Sequence, residues 1–251
     1  MSDPASVGID VGSTTFKSVV IDRDGRVLSS FLEPADPRIE GQAARAFVSM
    51  GAPPGTPVGA TGYGRRRVNA AKALTEITCH ARGAFFRTRE PGILVDVGGQ
   101  DTKVIRVGPG GAVLDFAMND KCAAGTGRFL EVILGRLRIP REEVALYAAR
   151  STRPVPVTST CTVFAESEVV SLVARGEPVE DIVKGLHAAL ASRVASLAGQ
   201  IPPGSRVFMS GGVALNPAMV DALSKELSVP VSVVPDPQFV GALGAALSVL
   251  A

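Results

Sequence analysis

A surplus of charge of either sign is missing from this chain: 26 Lys and Arg face 24 Asp and Glu, leaving a formal +2. No chain-wide field therefore favours nucleic acid or an anionic membrane, and binding is expected to be local. Long apolar runs are missing as well, because the C-terminal apolar stretches are short or broken by residues such as Arg193. A basic leader is absent from Met1-Ser2-Asp3-Pro4-Ala5. Neither secretion nor a membrane span is expected. Cysteine is scarce, three in all. An odd count without a secretory signal argues against a disulfide framework and fits a reducing cytoplasm. Histidine is scarcer still, and His80 and His187 both sit in helical patterns, where surface or core packing explains them better than ligation.

With 251 residues, 46% hydrophobic and 20% charged, the chain can bury a full core and spans one to two domains. Ile9-Asp10-Val11-Gly12-Ser13-Thr14-Thr15-Phe16-Lys17 is echoed by Val95-Asp96-Val97-Gly98-Gly99-Gln100-Asp101-Thr102-Lys103. Each copy reads as a strand, an Asp-x-Gly turn, a lysine and a returning β-branched strand, so the chain is expected to be duplicated. A third strand near 26–32 and a fourth near 56–61 complete the first lobe. The apolar spacing over 68–88 predicts one helix interrupted by Gly83. Glu90-Pro91-Gly92 breaks the pattern, placing a first lobe at 1–90 and a second at 91–237, with the stretch 238–251 able to pack back on the first.

In the second lobe a strand is expected over 112–118, and helices over 127–137, 141–150, 164–174 and from Pro178 to before Pro202. A strand at 206–210, a helix from Asn216-Pro217, a strand at 230–234 and a small-residue helix over 241–250 follow. Such small residues suit close packing on a backbone or a nucleotide. The fold class expected is α/β, two similar lobes with a ligand cleft between them.

The two turns carry phosphate chemistry. Glycine beside aspartate leaves backbone N–H groups free for phosphates, and Ser13, Thr14, Thr15 and Lys17 add donors. Asp10, Asp96 or Asp101 could hold Mg²⁺ through water, and Gln100 could orient a water on the terminal phosphate. Met209-Ser210-Gly211-Gly212 offers bare backbone to a flat base. Taken in order, these elements resemble the superfamily of actin, sugar kinases and heat-shock chaperone ATPases, whose ribonuclease H-like lobes bind ATP or ADP.

Cys122 and Cys161 are more specific still. They stand in Asp120-Lys121-Cys122-Ala123-Ala124-Gly125-Thr126-Gly127-Arg128 and Ser159-Thr160-Cys161-Thr162-Val163-Phe164-Ala165-Glu166-Ser167-Glu168, polar turns that read as helix starts. Backbone N–H groups there can stabilise a thiolate or a thiolate-bound cluster. Cys79, in a helical pattern, reads as structural. Together with Thr61-Gly62-Tyr63-Gly64-Arg65, these motifs make the chain resemble the activators of 2-hydroxyacyl-CoA dehydratases. That family also holds the ATP-binding subunits of benzoyl-CoA reductase.

The resemblance runs from Gly8 to the last helix and implies an oxygen-sensitive homodimer carrying one 4Fe-4S cluster between its subunits. Cys122 and Cys161 are then the ligands, and two per chain make four per dimer. It also implies that ferredoxin or flavodoxin supplies the electron, that ATP hydrolysis drives it to a dehydratase, and that Gln238, before the last helix, lines the nucleotide site with Gly12, Gly98, Gly99, Gly211 and Gly212. A benzoyl-CoA reductase-like subunit is the alternative, and a metabolite kinase the remoter one. The Arg65-Arg66-Arg67 run has no assigned role.

Overall fold

The computed structural model describes residues 3–250; Met1 and Ser2 of the N-terminal run and Ala251 at the chain's end lie outside them. The first sheet is built from β1 (Ser6–Val11), β2 (Thr15–Ile21), β3 (Val27–Pro34), β4 (Val58–Gly62) and β5 (Lys72–Ala73), in the order β3-β2-β1-β4-β5. β1 and β2 pair antiparallel with Asp10 opposite Lys17, and β4 runs parallel to β1 with Thr61 opposite Asp10. The second sheet comprises β6 (Gly92–Val97), β7 (Thr102–Val107), β8 (Val113–Asn119), β9 (Val207–Ser210) and β10 (Val231–Val233), in the order β10-β9-β6-β7-β8. Read from β8, that is the first sheet's order again. The duplication expected from the two Asp-x-Gly turns is a duplication of whole sheets.

Helix α1 (Ile39–Met50) closes one face of the first sheet, where Ala43, Ala46 and Met50 meet Val7, Ile9 and Phe16. It ends at Gly51, whose φ of 65° is the left-handed conformation that stops a helix. The last helix, α8 (Val240–Leu247), joins a core with Val19 and Ile21 through Ala242, Leu243 and Ala246. Its small residues meet backbone: Gly8 faces the Ala242 carbonyl and Gly59 the Ala245 carbonyl.

The helix expected over 68–88 is shorter than that. Helix α2 spans Glu76–Thr88, because the Thr75 hydroxyl caps it by accepting from the Thr78 N–H at 3.2 Å. Upstream, Lys72 and Ala73 pair with Gly59 and Ala60 as β5. Gly83 interrupts nothing; it brings α2 against the Val240 carbonyl of α8.

The remaining helices are α3 (Gly127–Arg136), α4 (Val144–Arg150), α5 (Thr162–Ala174), α6 (Val179–Ala198) and α7 (Pro217–Leu227). The predicted helix at 141–150 begins as a 3-10 turn over Arg141–Glu143. α6 is buried along one side through Ile182, Leu186, Leu190 and Val194, packed on α4 and α7. Two compact units result. One gathers the chain up to Leu94, Ile105–Phe116 and the stretch from Val234 on; the other gathers Val95–Val104 and Ala117–Val233. Among the described residues no helix is long and apolar enough to cross a membrane.

Candidate functional site

The two hairpin turns are built alike. The Gly12 N–H donates to the Thr15 carbonyl at 3.1 Å, and the Gly98 N–H to the Asp101 carbonyl at 2.9 Å. In the first, Lys17 Nζ reaches Asp10 Oδ2 at 3.2 Å; in the second, Lys103 Nζ lies 3.5 Å from Asp96 Oδ2. A further pair repeats with them. Gly62, the last residue of β4, has φ 90° and stands over the Val11 carbonyl and Asp10; Gly211, just after β9, has φ 85° and stands over the Val97 carbonyl and Asp96. Only glycine takes that conformation without strain, and a Cβ at either position would strike the strand carbonyl. Gly62 therefore belongs with Gly211, a match readable from two glycines that each stand at the end of a strand.

The copies differ in what their lysines do. Lys17 has one carboxylate partner and keeps 17% of its side chain exposed. Lys103 is buried, 2% exposed, and also donates to Asp101 Oδ2 at 2.7 Å, while Ser210 Oγ donates to Asp96 Oδ1 at 2.7 Å. Asp96, Asp101, Lys103 and Ser210 thus form one buried polar group. Removing Lys103 would take an ammonium away from two buried carboxylates. Lys103→Met is expected to lower unfolding stability by about 3 kcal/mol, measured by denaturant titration.

Ser13, Thr14 and Thr15 line the first turn half-buried, Gln100 is exposed in the second, and Gln238 is half-buried on a 3-10 turn over Pro237–Phe239. Gly212 opens a 3-10 turn that ends before Asn216, and Arg141 Nη2 donates to its carbonyl at 2.8 Å. Asn216 caps α7 by accepting from the Ala218 N–H at 3.1 Å.

His187, fully buried on α6, holds that asparagine. Its Nδ1–H donates to the Val183 carbonyl at 2.7 Å, so the neutral ring accepts at Nε2 from Asn216 Nδ2 at 2.8 Å. Burial pushes the imidazole's pKa down, the Val183 carbonyl pulls it up, and the Lys184 charge pushes it down again. The stability this neutral ring supplies is complete above the ordinary histidine pKa near 6.5 and drains away below it, as pH falls through the lowered value of the folded state. Gln at 187 keeps an acceptor near Nε2, whereas Asn cannot reach Asn216. Melting curves should show His187→Gln stable and less acid-sensitive than wild type, and His187→Asn weakened at every pH.

The two exposed cysteines lie on pinned loops. Cys122 precedes a 3-10 turn, not a helix: α3 starts only at Gly127, capped by the Thr126 hydroxyl. The Asn119 side chain fixes the loop, accepting from the Cys122 N–H at 3.1 Å and donating to its carbonyl at 2.8 Å. Cys161 does stand at a helix start, that of α5, where its carbonyl accepts from the Ala165 N–H. The segment before it is tied by Glu168, whose carboxylate accepts from the Thr158 and Ser159 N–H groups at 3.0 and 2.8 Å. Burial works to raise Glu168's pKa, but these hydrogen bonds outweigh it and hold the carboxyl below its usual range. Thr162 Oγ1, next to Cys161, is buried without a hydrogen-bond partner. Cys79 is different. It is fully buried, and burial pushes its thiol up to about 12.

A donor set of exposed thiols on backbone-fixed loops, with an unpaired hydroxyl beside one of them, suits a sulfide-bearing metal cluster. Three cysteines, one inert, leave a single chain two ligands short of four.

A family model described as the BadF/BadG/BcrA/BcrD ATPase family matches residues 7–249. The chain belongs to that family. Among the relatives of this BadF/BadG/BcrA/BcrD ATPase is the (R)-2-hydroxyglutaryl-CoA dehydratase activating ATPase of Acidaminococcus fermentans, 41% identical over 96% of this chain and 95% of that one. The structure of the activator of the 2-hydroxyisocaproyl-CoA dehydratase from Clostridium difficile, with bound ADPNP, is 39% identical and superposes with a TM-score of 0.90, covering 98% of this chain and 94% of that one. The fold extends to sugar kinases. A ROK family glucokinase from Streptomyces griseus, 17% identical, reaches a TM-score of 0.62 over 97% of this ATPase and 98% of the kinase.

Proposed function

We propose that this protein is an ATP-driven, one-electron activator of a 2-hydroxyacyl-CoA dehydratase that works as a homodimer. The observation that carries the reading is the pair of exposed cysteines on side-chain-pinned loops within a chain of an ATPase family. Relatives named as dehydratase activators support the same reading. Cys122 and Cys161 from each of two copies would hold one 4Fe-4S cluster, which when bound accepts one low-potential electron and releases it. The Thr162 hydroxyl is a ready donor to it. Ferredoxin or flavodoxin is the donor expected upstream.

For the nucleotide, backbone N–H groups of Gly12, Ser13 and Thr14 and of Gly98, Gly99 and Gln100 would cradle phosphates, with Lys17 as the more exposed of the two lysines. Asp10 and Asp96 would hold Mg²⁺ through water, and the exposed Gln100 would orient the attacking water. Gly211 and Gly212 offer backbone to the base, and Gln238 lines the site. An ATP-linked push works only if nucleotide binds two states of the protein unequally.

The test mixes the reconstituted protein, a 2-hydroxyacyl-CoA dehydratase and a low-potential reductant without oxygen. Dehydration should begin only when ATP is added. Lys17→Met should stay folded, though less stable because the buried Asp10 loses its ammonium, and should lose about 2 kcal/mol of ADP affinity, roughly thirtyfold, because a charge-assisted hydrogen bond to phosphate is gone. Dehydratase turnover that starts without ATP would sink the reading.

A further inference from the structure

Ala124 lies two residues after Cys122, and Ser159 two residues before Cys161; one side chain bonds the carbonyls of both. Arg193, on α6, donates from Nη1 to the Ala124 carbonyl at 3.2 Å and from Nη2 to the Ser159 carbonyl at 2.8 Å. Its guanidinium carbon sits 4.5 Å from the ring centroid of the fully buried Phe129 on α3. The Ser159 residue is therefore gripped from both sides, its N–H by Glu168 and its carbonyl by Arg193.

A planar fork is what this placement needs. Two carbonyls from segments far apart in sequence must be met at once, in directions that a rigid guanidinium offers and a single ammonium does not. Stacking on Phe129 fixes the plane of the fork. Half-burial pushes the guanidinium's pKa down, while Cys122 and Glu168 act in the other direction.

We infer that Arg193 is the positioning residue of the cysteine pair: it sets the separation of the two loops and supplies the positive charge that faces a cluster bound there. This rests on the cluster reading above. The fork governs how firmly the ligands are held, because loops free to part release iron. The charge governs potential, because a cation nearby favours the reduced, more negative state.

The two effects separate by substitution. Arg193→Lys keeps the charge and loses the fork; Arg193→Gln loses both; Glu168→Gln weakens the grip on Ser159 from the other side while leaving the cation. Each protein would be reconstituted with iron and sulfide without oxygen, checked for folding by its melting curve and ADP binding, then measured for iron loss to a chelator and for midpoint potential. All three should lose iron about tenfold faster than wild type. The potential should fall in Arg193→Gln and in neither of the others. Wild type that holds iron while both Arg193 variants keep it as long, at an unchanged potential, overturns this role alone. Wild type that takes up no iron overturns the activator reading and this role with it.

Discussion

Cys122→Ser and Cys161→Ser proteins should each leave anaerobic reconstitution with no cluster, while binding ADP as tightly as wild type. A serine hydroxyl is a poor substitute for thiolate, because iron in such clusters is held by soft, deprotonated sulfur and the alcohol stays protonated near neutral pH. In a two-fold dimer one substitution removes two of the four ligands at a stroke. Cys79→Ser is the internal control. Its thiol is buried, with a pKa pushed up to about 12 by that burial, so it is not a thiolate and its loss should leave iron content unchanged. Absorbance near the visible charge-transfer bands and an iron assay read the result. Iron retained in either exposed-cysteine variant would show that the ligands lie elsewhere.

Gly244→Ala should cost the fold more than any other one-methyl change on α8. Gly244 lies over α2, and a Cβ there would strike the Cys79 carbonyl and come within 2.8 Å of the Cys79 Cα. Backbone on both sides cannot rotate away, so the helices must separate and open the core between them. Overpacking of this kind costs about 3 kcal/mol, which for a chain of this size lowers the melting temperature by about 10 °C. Gly135→Ala is the counter-case: on α3 it has open space around it, and the gain in helix propensity should stabilise by up to about 1 kcal/mol. A melting temperature for Gly244→Ala equal to wild type would refute the close packing of α8 on α2.

What could be read in the residues was what repeats or carries its own punctuation. Asp10 and Lys17, and Asp96 and Lys103, stand seven apart in each copy, within the echoed Asp-Val-Gly pattern that exposed the duplicated hairpins. Pro217 after Asn216 announced α7. The start of α2 was hidden because Val68, Ala70, Ala71 and Leu74 mimic a helical stripe, while the deciding contact is one Thr75 hydroxyl on one N–H. At the candidate site the cysteines were legible through their polar surroundings. Arg193 was not, because its partners are backbone carbonyls 69 and 34 residues away, and a carbonyl has no signature in sequence. His187 was hidden for a similar reason: on an amphipathic helix its pattern is that of a core residue, and only the fold brings Asn216 to its ring. The unequal burial of Lys17 and Lys103 was equally invisible, since their sequence settings are near copies.

The proposed function requires that Cys122 and Cys161 of each chain make half of a shared cluster. Iron, acid-labile sulfide and native mass measured on one anaerobically reconstituted sample test that directly. About two irons and two sulfides per chain, all of it in a species of twice the chain mass, is the predicted result. Iron bound at four per chain on a monomer, or a full complement retained when Cys161 is serine, would contradict it.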